Sequence, residues 1–176
     1  MKSIRYLRLM THEEAVTFIK NAVKGDQLQY WADLGCGSGT FTRALAALLP
    51  EGSPITAVDR QKQRLDIDGV DFVRADFVKD ELQLEELDGM LIANALHYVV
   101  DKAGLITRLE PLFSGEPCFI IIEYDTDRSN PWVPYPLPFE KLKLLFVLLG
   151  YHSVTKTNER RSAYGSGNMY CALIQK

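Results

Sequence analysis

Trp31-Ala32-Asp33-Leu34-Gly35-Cys36-Gly37-Ser38-Gly39-Thr40-Phe41-Thr42 is the stretch on which the reading of this chain turns. The apolar run Leu28 to Leu34 ends in three alternate glycines and passes into an Ala- and Leu-rich segment, Phe41 to Leu49. That order predicts a strand, a glycine-rich turn and the first turn of a helix. Glycine accepts positive φ and lets a ligand approach the backbone with no Cβ in the way. The start of a helix adds unpaired N–H groups for polar or anionic ligand atoms.

The spacing narrows the ligand. A dinucleotide fingerprint reads Gly-x-Gly-x-x-Gly on such a turn. Here Gly35, Gly37 and Gly39 read Gly-x-Gly-x-Gly, and Thr40 stands where that fingerprint has Gly or Ala. Asp33 precedes the first glycine; its charge would repel a pyrophosphate and attract a ligand carrying an ammonium and a sulfonium. The run Asp33-Leu34-Gly35-Cys36-Gly37-Ser38-Gly39 resembles the first motif of class I S-adenosylmethionine-dependent methyltransferases. The resemblance assigns Asp33, Gly35, Cys36, Gly37 and Gly39 to cofactor binding.

Length and composition fit one domain, residues 1–176, large enough to bury roughly 70% of its unfolded surface. A net charge of −3 argues against a protein that holds nucleic acid by bulk electrostatics, and leaves a local basic patch open. Cys36, Cys118 and Cys171 are an odd number without framework spacing and read as reduced thiols of a cytoplasmic protein. The briefly basic start Met1-Lys2-Ser3-Ile4-Arg5 leads into no apolar segment, so no signal peptide is expected. No window reaches the apolar length of a membrane span, so no membrane partner is expected. The three histidines lie far apart and no cysteine pair is close, so no metal site is expected.

Residues 1–10 read as an N-terminal arm. Thr11-His12-Glu13-Glu14 has capping-box spacing, and Ala15, Phe18, Ile19, Ala22 and Val23 come after it at helical intervals. This predicts a leading helix over 11–24, ended by Gly25. Ile55-Thr56-Ala57-Val58-Asp59 reads as a second strand closing in an acid, twenty residues beyond Gly39. A carboxylate there accepts from ribose hydroxyls; otherwise it caps the next turn of the chain. The resemblance implies the ribose role and adds Arg60 to the cofactor set. Residues 60–69 form a short polar crossover to the strand Val70–Arg74. In the resembled family the acid after this strand accepts from the adenine amino group, and the next residue flanks the ring. Asp76 and Phe77 occupy those places; the alternative is an aspartate in a surface loop.

Lys79 to Leu87 is charged and predicts a short helix. Leu87 to Asn94 reads as a buried strand running into Ala95-Leu96-His97-Tyr98-Val99, which resembles the family's fourth motif, beside the reactive methyl. No Asx-Pro-Pro-aromatic sequence stands here, and no cysteine lies between Cys36 and Cys118. Both absences disfavour the DNA adenine and cytosine-C5 classes. His97 is the candidate catalytic residue, a base with a pKa near neutrality; the competing reading packs it against cofactor or core. Asn94 joins the cofactor set and Tyr98 the substrate set, with the same two readings.

Asp101 to Phe113 is amphipathic, and Cys118 to Tyr124 is a continuous apolar run of the kind found in buried parallel strands. The segment Asp125 to Pro138 carries four prolines and is the leading substrate loop, with Asp125 and Trp132 as candidates; alternatively Trp132 fills a core edge. Phe139 to Leu149 predicts a helix ended by Gly150. Tyr151–Thr157 and Met169–Gln175 then alternate as an antiparallel pair with no helix between them. Their loop, Asn158 to Asn168, carries Arg160, Arg161 and Tyr164 as candidate substrate contacts, either arginine suiting a carboxylate or phosphate. The blander reading is a solvated charged loop.

The resemblance implies a three-layer α/β/α Rossmann-like methyltransferase fold, with a seven-stranded, mostly parallel sheet whose last strand is antiparallel. It also implies transfer of a methyl group from S-adenosylmethionine to an O, N or other nucleophile, with S-adenosylhomocysteine leaving. The modest charge favours a small-molecule acceptor. A non-catalytic S-adenosylmethionine-binding module, a protein or RNA methyltransferase and a nicotinamide-dependent oxidoreductase are the rival readings, and a homodimer stays open.

Overall fold

A computed structural model describes residues 10–162 and 167–176. Its centre is β1 (Trp31–Leu34), buried along its whole length because it is paired on both edges and covered on both faces. It pairs in parallel with β2 (Ile55–Asp59) on one side and with β4 (Gly89–Ala93) on the other. Outward from β2 lies the edge strand β3 (Val70–Arg74), whose half-exposed pattern suits an edge. Outward from β4 lies β5 (Cys118–Asp125), also parallel. The hairpin of β6 (Ser153–Arg161) and β7 (Asn168–Gln175) completes the sheet, giving the order β3-β2-β1-β4-β5-β7-β6. The last strand, β7, lies between β5 and β6 and runs antiparallel to both.

Helices α1 (His12–Ile19) and α2 (Thr40–Leu48) cover one face, where Phe18, Ile19, Phe41 and Leu45 pack on Trp31, Ile55, Leu91 and Ile120. Helices α3 (Lys102–Leu109) and α4 (Phe139–Leu148) cover the other, where Ile106, Leu109, Leu142 and Phe146 pack on Leu34, Ile92, Phe119 and Ile121. The expected three layers and seven strands are present. Among the described residues, no helix is long and apolar enough to cross a membrane.

Three local expectations differ from the structure. The leading helix stops at Ile19 rather than near Gly25: Asn158 of β6 donates to the carbonyls of Thr17 and Phe18, and the Ala22 N–H turns back to the Ile19 carbonyl. Lys79 to Leu87 forms no helix. Arg108 of α3 holds this stretch and its approach by donating to the carbonyls of Phe77, Val78 and Asp80. Residues 158–161 continue β6 past a bulge between Lys156 and Asn158, so Arg160 and Arg161 sit on a strand and not in a loop.

The centre of the sheet contains a tight fit. Gly89 lies opposite Trp31, and a Cβ on Gly89 would stand 2.4 Å from the buried indole. Gly89→Ala is therefore expected to destabilise the fold by about 1–3 kcal/mol, the usual range for an overfilled core. A urea melt checks this, and an unchanged midpoint would contradict it.

Candidate functional site

The chain runs outward from β1 through β2 to β3 and then returns to β4 on the other side of β1. The carboxyl ends of β1 and β4 thus flank the topological switch point, where ligands of open α/β sheets bind. The glycine-rich turn leaves β1 there. Its Gly35 and Cys36 N–H groups donate to the Val58 carbonyl at 2.8 and 3.1 Å, and the Gly37 N–H donates to the Asp59 carboxylate at 2.9 Å. Gly35, Gly37 and Gly39 all have positive φ, which the tight turn requires. A Cβ on Gly35 would meet Ala95 at 2.7 Å, whereas one on Gly37 would meet nothing within 4 Å. The Gly37 backbone therefore faces open space.

Two chambers meet at this turn, both lined by Gly35, Gly37 and Asn94. The larger, about 340 Å³, is also lined by Asp33, Cys36, Phe41, Tyr124, Arg160 and Arg161, among others. The smaller, about 250 Å³, is lined by Asp59, Arg60, Gln61, Asp76, Phe77 and Tyr98, among others. Asn94 is the residue at the junction. It comes directly after β4 with a φ of 52°, and its Oδ1 is buried without a hydrogen-bond partner among the described residues. A non-glycine residue held there stores strain of order 1–3 kcal/mol, of the kind found at ligand sites.

Asp33 is buried at the end of β1. Its Oδ2 accepts from the Thr42 hydroxyl at 2.6 Å, while its Oδ1 has no partner among the described residues. Burial pushes its carboxyl up from 3.8 to about 7, against the Thr42 hydrogen bond and helped by the charge of Asp59. Burial likewise pushes the Cys36 thiol up to about 12, aided by Asp33 and Asp59, so it stays protonated and is no nucleophile at neutral pH. The Asp59 oxygens each take one backbone donor, Gly37 N–H and Gln61 N–H, leaving further lone pairs for a ligand. Asp76 accepts from the Val78 N–H, and the buried ring of Phe77 completes that wall. The Arg108 guanidinium pins this loop by donating to the Phe77 carbonyl at 2.6 Å.

His97 is 2% exposed and lines neither chamber. Its Nδ1 lies 2.7 Å from Oε2 of buried Glu123, whose Oε1 accepts from the His97 N–H at 3.0 Å. The imidazole sits behind Tyr98 and Tyr124, at ring separations of 4.3 and 5.8 Å. Asp125 and Trp132 also line neither chamber. Asp125 is paired with Lys156 at 3.1 Å and accepts from the Phe139 N–H, while Trp132 is 75% exposed at the tip of a turn closed by Asn130 and Val133. Tyr164 and residues 1–9 of the arm lie outside the described residues.

Sequence reasoning missed Glu123, Arg108, Tyr124 and Phe41. Glu123 left a trace, as an acid inside an otherwise apolar strand, and Phe41 lies two residues beyond Gly39 in the glycine-rich stretch. Arg108 and Tyr124 join the site through pairings remote in sequence.

The family model described as a methyltransferase domain matches residues 32–111. No curated protein matches the chain. Among solved structures, the plantazolicin methyltransferase BpumL in complex with SAH is similar at 15% identity and a TM-score of 0.64, over 92% of this chain and 82% of that one. A SAM dependent methyltransferase from Aquifex aeolicus is similar at 16% identity and a TM-score of 0.63, over 94% and 90%. The 1,6-didemethyltoxoflavin-N1-methyltransferase of Burkholderia thailandensis, with bound 1,6-didemethyltoxoflavin and S-adenosylhomocysteine, is similar at 18% identity and a TM-score of 0.65, over 85% and 72%. These likenesses show the fold.

Asp33 also makes stability depend on pH. Its folded pKa lies above its unfolded one, so the folded state holds the extra proton between about 4 and 7. Its contribution therefore falls as pH rises through that window. Asp33→Asn is expected to remove this part of the slope and to gain stability relative to wild type above pH 7. Urea melts at pH 5 and pH 8 test this; an identical pH dependence in the two proteins would contradict it.

Proposed function

We propose that the chain transfers the methyl group of S-adenosylmethionine to an O, N or other nucleophile of a small molecule, since residues 32–111 match the family model of a methyltransferase domain and the chain has the class I methyltransferase fold. The observation that carries this reading is the open space at Gly37, with polar groups arranged about it. A Cβ there would fill the cradle, and the buried, partnerless Oδ1 of Asp33 awaits a donor. These features fit the cofactor: an ammonium for Asp33, a ribose for Asp59 and a purine for the Asp76 and Phe77 wall.

When bound, S-adenosylmethionine supplies a methyl already activated on a sulfonium, so the acceptor's nucleophile bonds to that carbon as S-adenosylhomocysteine leaves. The chain's residues bind, align and desolvate. Asp33 meets the ligand's ammonium as a carboxylate, because a cation beside it favours the charged form. Asp59 accepts from the ribose hydroxyls through its free lone pairs. Asp76 accepts from the adenine amino group, Phe77 flanks the ring, and Arg60 closes the rim of the smaller chamber. Asn94 stands where the chambers meet and orients the reacting groups there. His97 acts as an anchor: with Glu123 it fixes the Ala95–Tyr98 turn against β5. Alignment and exclusion of water then carry the rate.

The larger chamber, about 340 Å³, also takes the cofactor's ammonium at Asp33, so the room it leaves suits a small acceptor. A small bound compound, 1,6-didemethyltoxoflavin, in the neighbour from Burkholderia thailandensis supports that choice.

Thermal melts and calorimetry with S-adenosylhomocysteine test the proposal. A hundredfold excess over Kd stabilises by about 2.7 kcal/mol, a rise of roughly 5–10 °C for a domain of this size. Gly37→Ala should stay folded, at a cost of about 1–2 kcal/mol for left-handed backbone, yet lose at least tenfold in ligand affinity. Asp59→Ala should lose affinity similarly. Gly35→Ala should melt lower, because its Cβ collides with Ala95. No thermal rise in wild type at millimolar ligand would overturn the proposal.

A further inference from the structure

The two ends of the larger chamber differ in charge. At the inner end lies the Asp33 carboxyl, with its free Oδ1. At the outer end, register across the sheet aligns Tyr124 of β5, Met169 of β7 and Arg160 of β6 in one row, and all three line the chamber. Arg161, the last residue of β6, lines it as well. The two arginines are not equivalent. Arg160 leans toward Glu14 of α1 at 3.7 Å, whereas the Arg161 side chain makes no ion pair or hydrogen bond among the described residues. The other charges nearby are committed, since Lys156 holds both Asp125 and Glu159. The apolar residues that line the chamber include Phe41, Met10 and Met169.

We propose that the methyl acceptor is a small carboxylate, its anionic group held by Arg161 and its nucleophile turned toward Asn94. The inference rests on the methyltransferase reading above. A planar guanidinium with no partner matches a carboxylate through two parallel hydrogen bonds. The opposite orientation is disfavoured, because Asp33 becomes an anion when the cofactor's ammonium stands beside it and would repel a second carboxylate. Charge at both ends thus fixes which end of the acceptor meets the cofactor, and the apolar walls take the body between them.

The test uses the full chain saturated with S-adenosylhomocysteine, titrated by calorimetry with matched pairs: benzoate and benzamide, phenylacetate and phenylacetamide, indole-3-acetate and indole-3-acetamide. At least one carboxylate should bind tenfold or more tightly than its amide. Arg161→Gln should reduce that preference below twofold while changing the affinity for S-adenosylhomocysteine less than twofold. Carboxylates that bind no better than their amides would overturn the proposal. So would an Arg161→Gln protein that loses tenfold in S-adenosylhomocysteine affinity, since that places the arginine on the cofactor's own carboxylate. Failure of wild type to bind S-adenosylhomocysteine would overturn the methyltransferase reading itself, and the acceptor assignment with it.

Discussion

Hydrogen bonds from the glycine-rich turn to the end of β2 hold the site open. Three consecutive N–H groups, those of Gly35, Cys36 and Gly37, are taken by the Val58 carbonyl and the Asp59 carboxylate. Backbone that would otherwise need water or a helix is satisfied inside the fold, while the Gly37 edge faces empty space. Parallel pairing of β1 with β2 sets this contact, and the return of the chain to β4 brings Asn94 to the other side. Moving either strand by one residue would turn these groups to the opposite face of the sheet. The geometry of the candidate site and the sheet register are thus one constraint.

The site is also where the structure departs from its own stability rules. Asp33 is buried with one oxygen unpartnered, Asn94 is held in left-handed backbone, and its amide oxygen is likewise without a partner. Each costs free energy, and under the proposed function the cofactor's donors would offset the two unpartnered oxygens. Around them the supports are rigid: Arg108 across the Phe77 loop, and the His97–Glu123 pair across the turn after β4. Strain sits at the junction and stiffness surrounds it, as expected for preorganised binding.

Much of the fold is legible in the sequence because buried parallel strands are continuous apolar runs and their ends carry acids or glycines. Asp33, Asp59 and Asp76 each stand at that punctuation and each lines a chamber. The segments that mislead are those decided by tertiary partners. The charges of Lys79 to Leu87 suit a helix, but Arg108, far along the chain, holds the start of that segment as a loop. Asn158 to Arg161 reads as a polar loop and is made a strand by its pairing with β7. His97 looks like a base by residue type alone; its burial and its hydrogen bonds to Glu123 of β5 have no sequence signal. The strained backbone of Asn94 has a weak signal, since asparagine tolerates left-handed conformation better than most residues.

The most direct measurement is a titration of 15N-labelled protein with S-adenosylhomocysteine, tracking backbone amides by two-dimensional NMR. The account predicts saturable shifts concentrated on Gly35, Gly37, Gly39 and Asn94, with the edge strand Ser153–Thr157 unmoved. Shifts confined to other parts of the sheet, or unmoved glycine-turn amides at millimolar ligand, would contradict it.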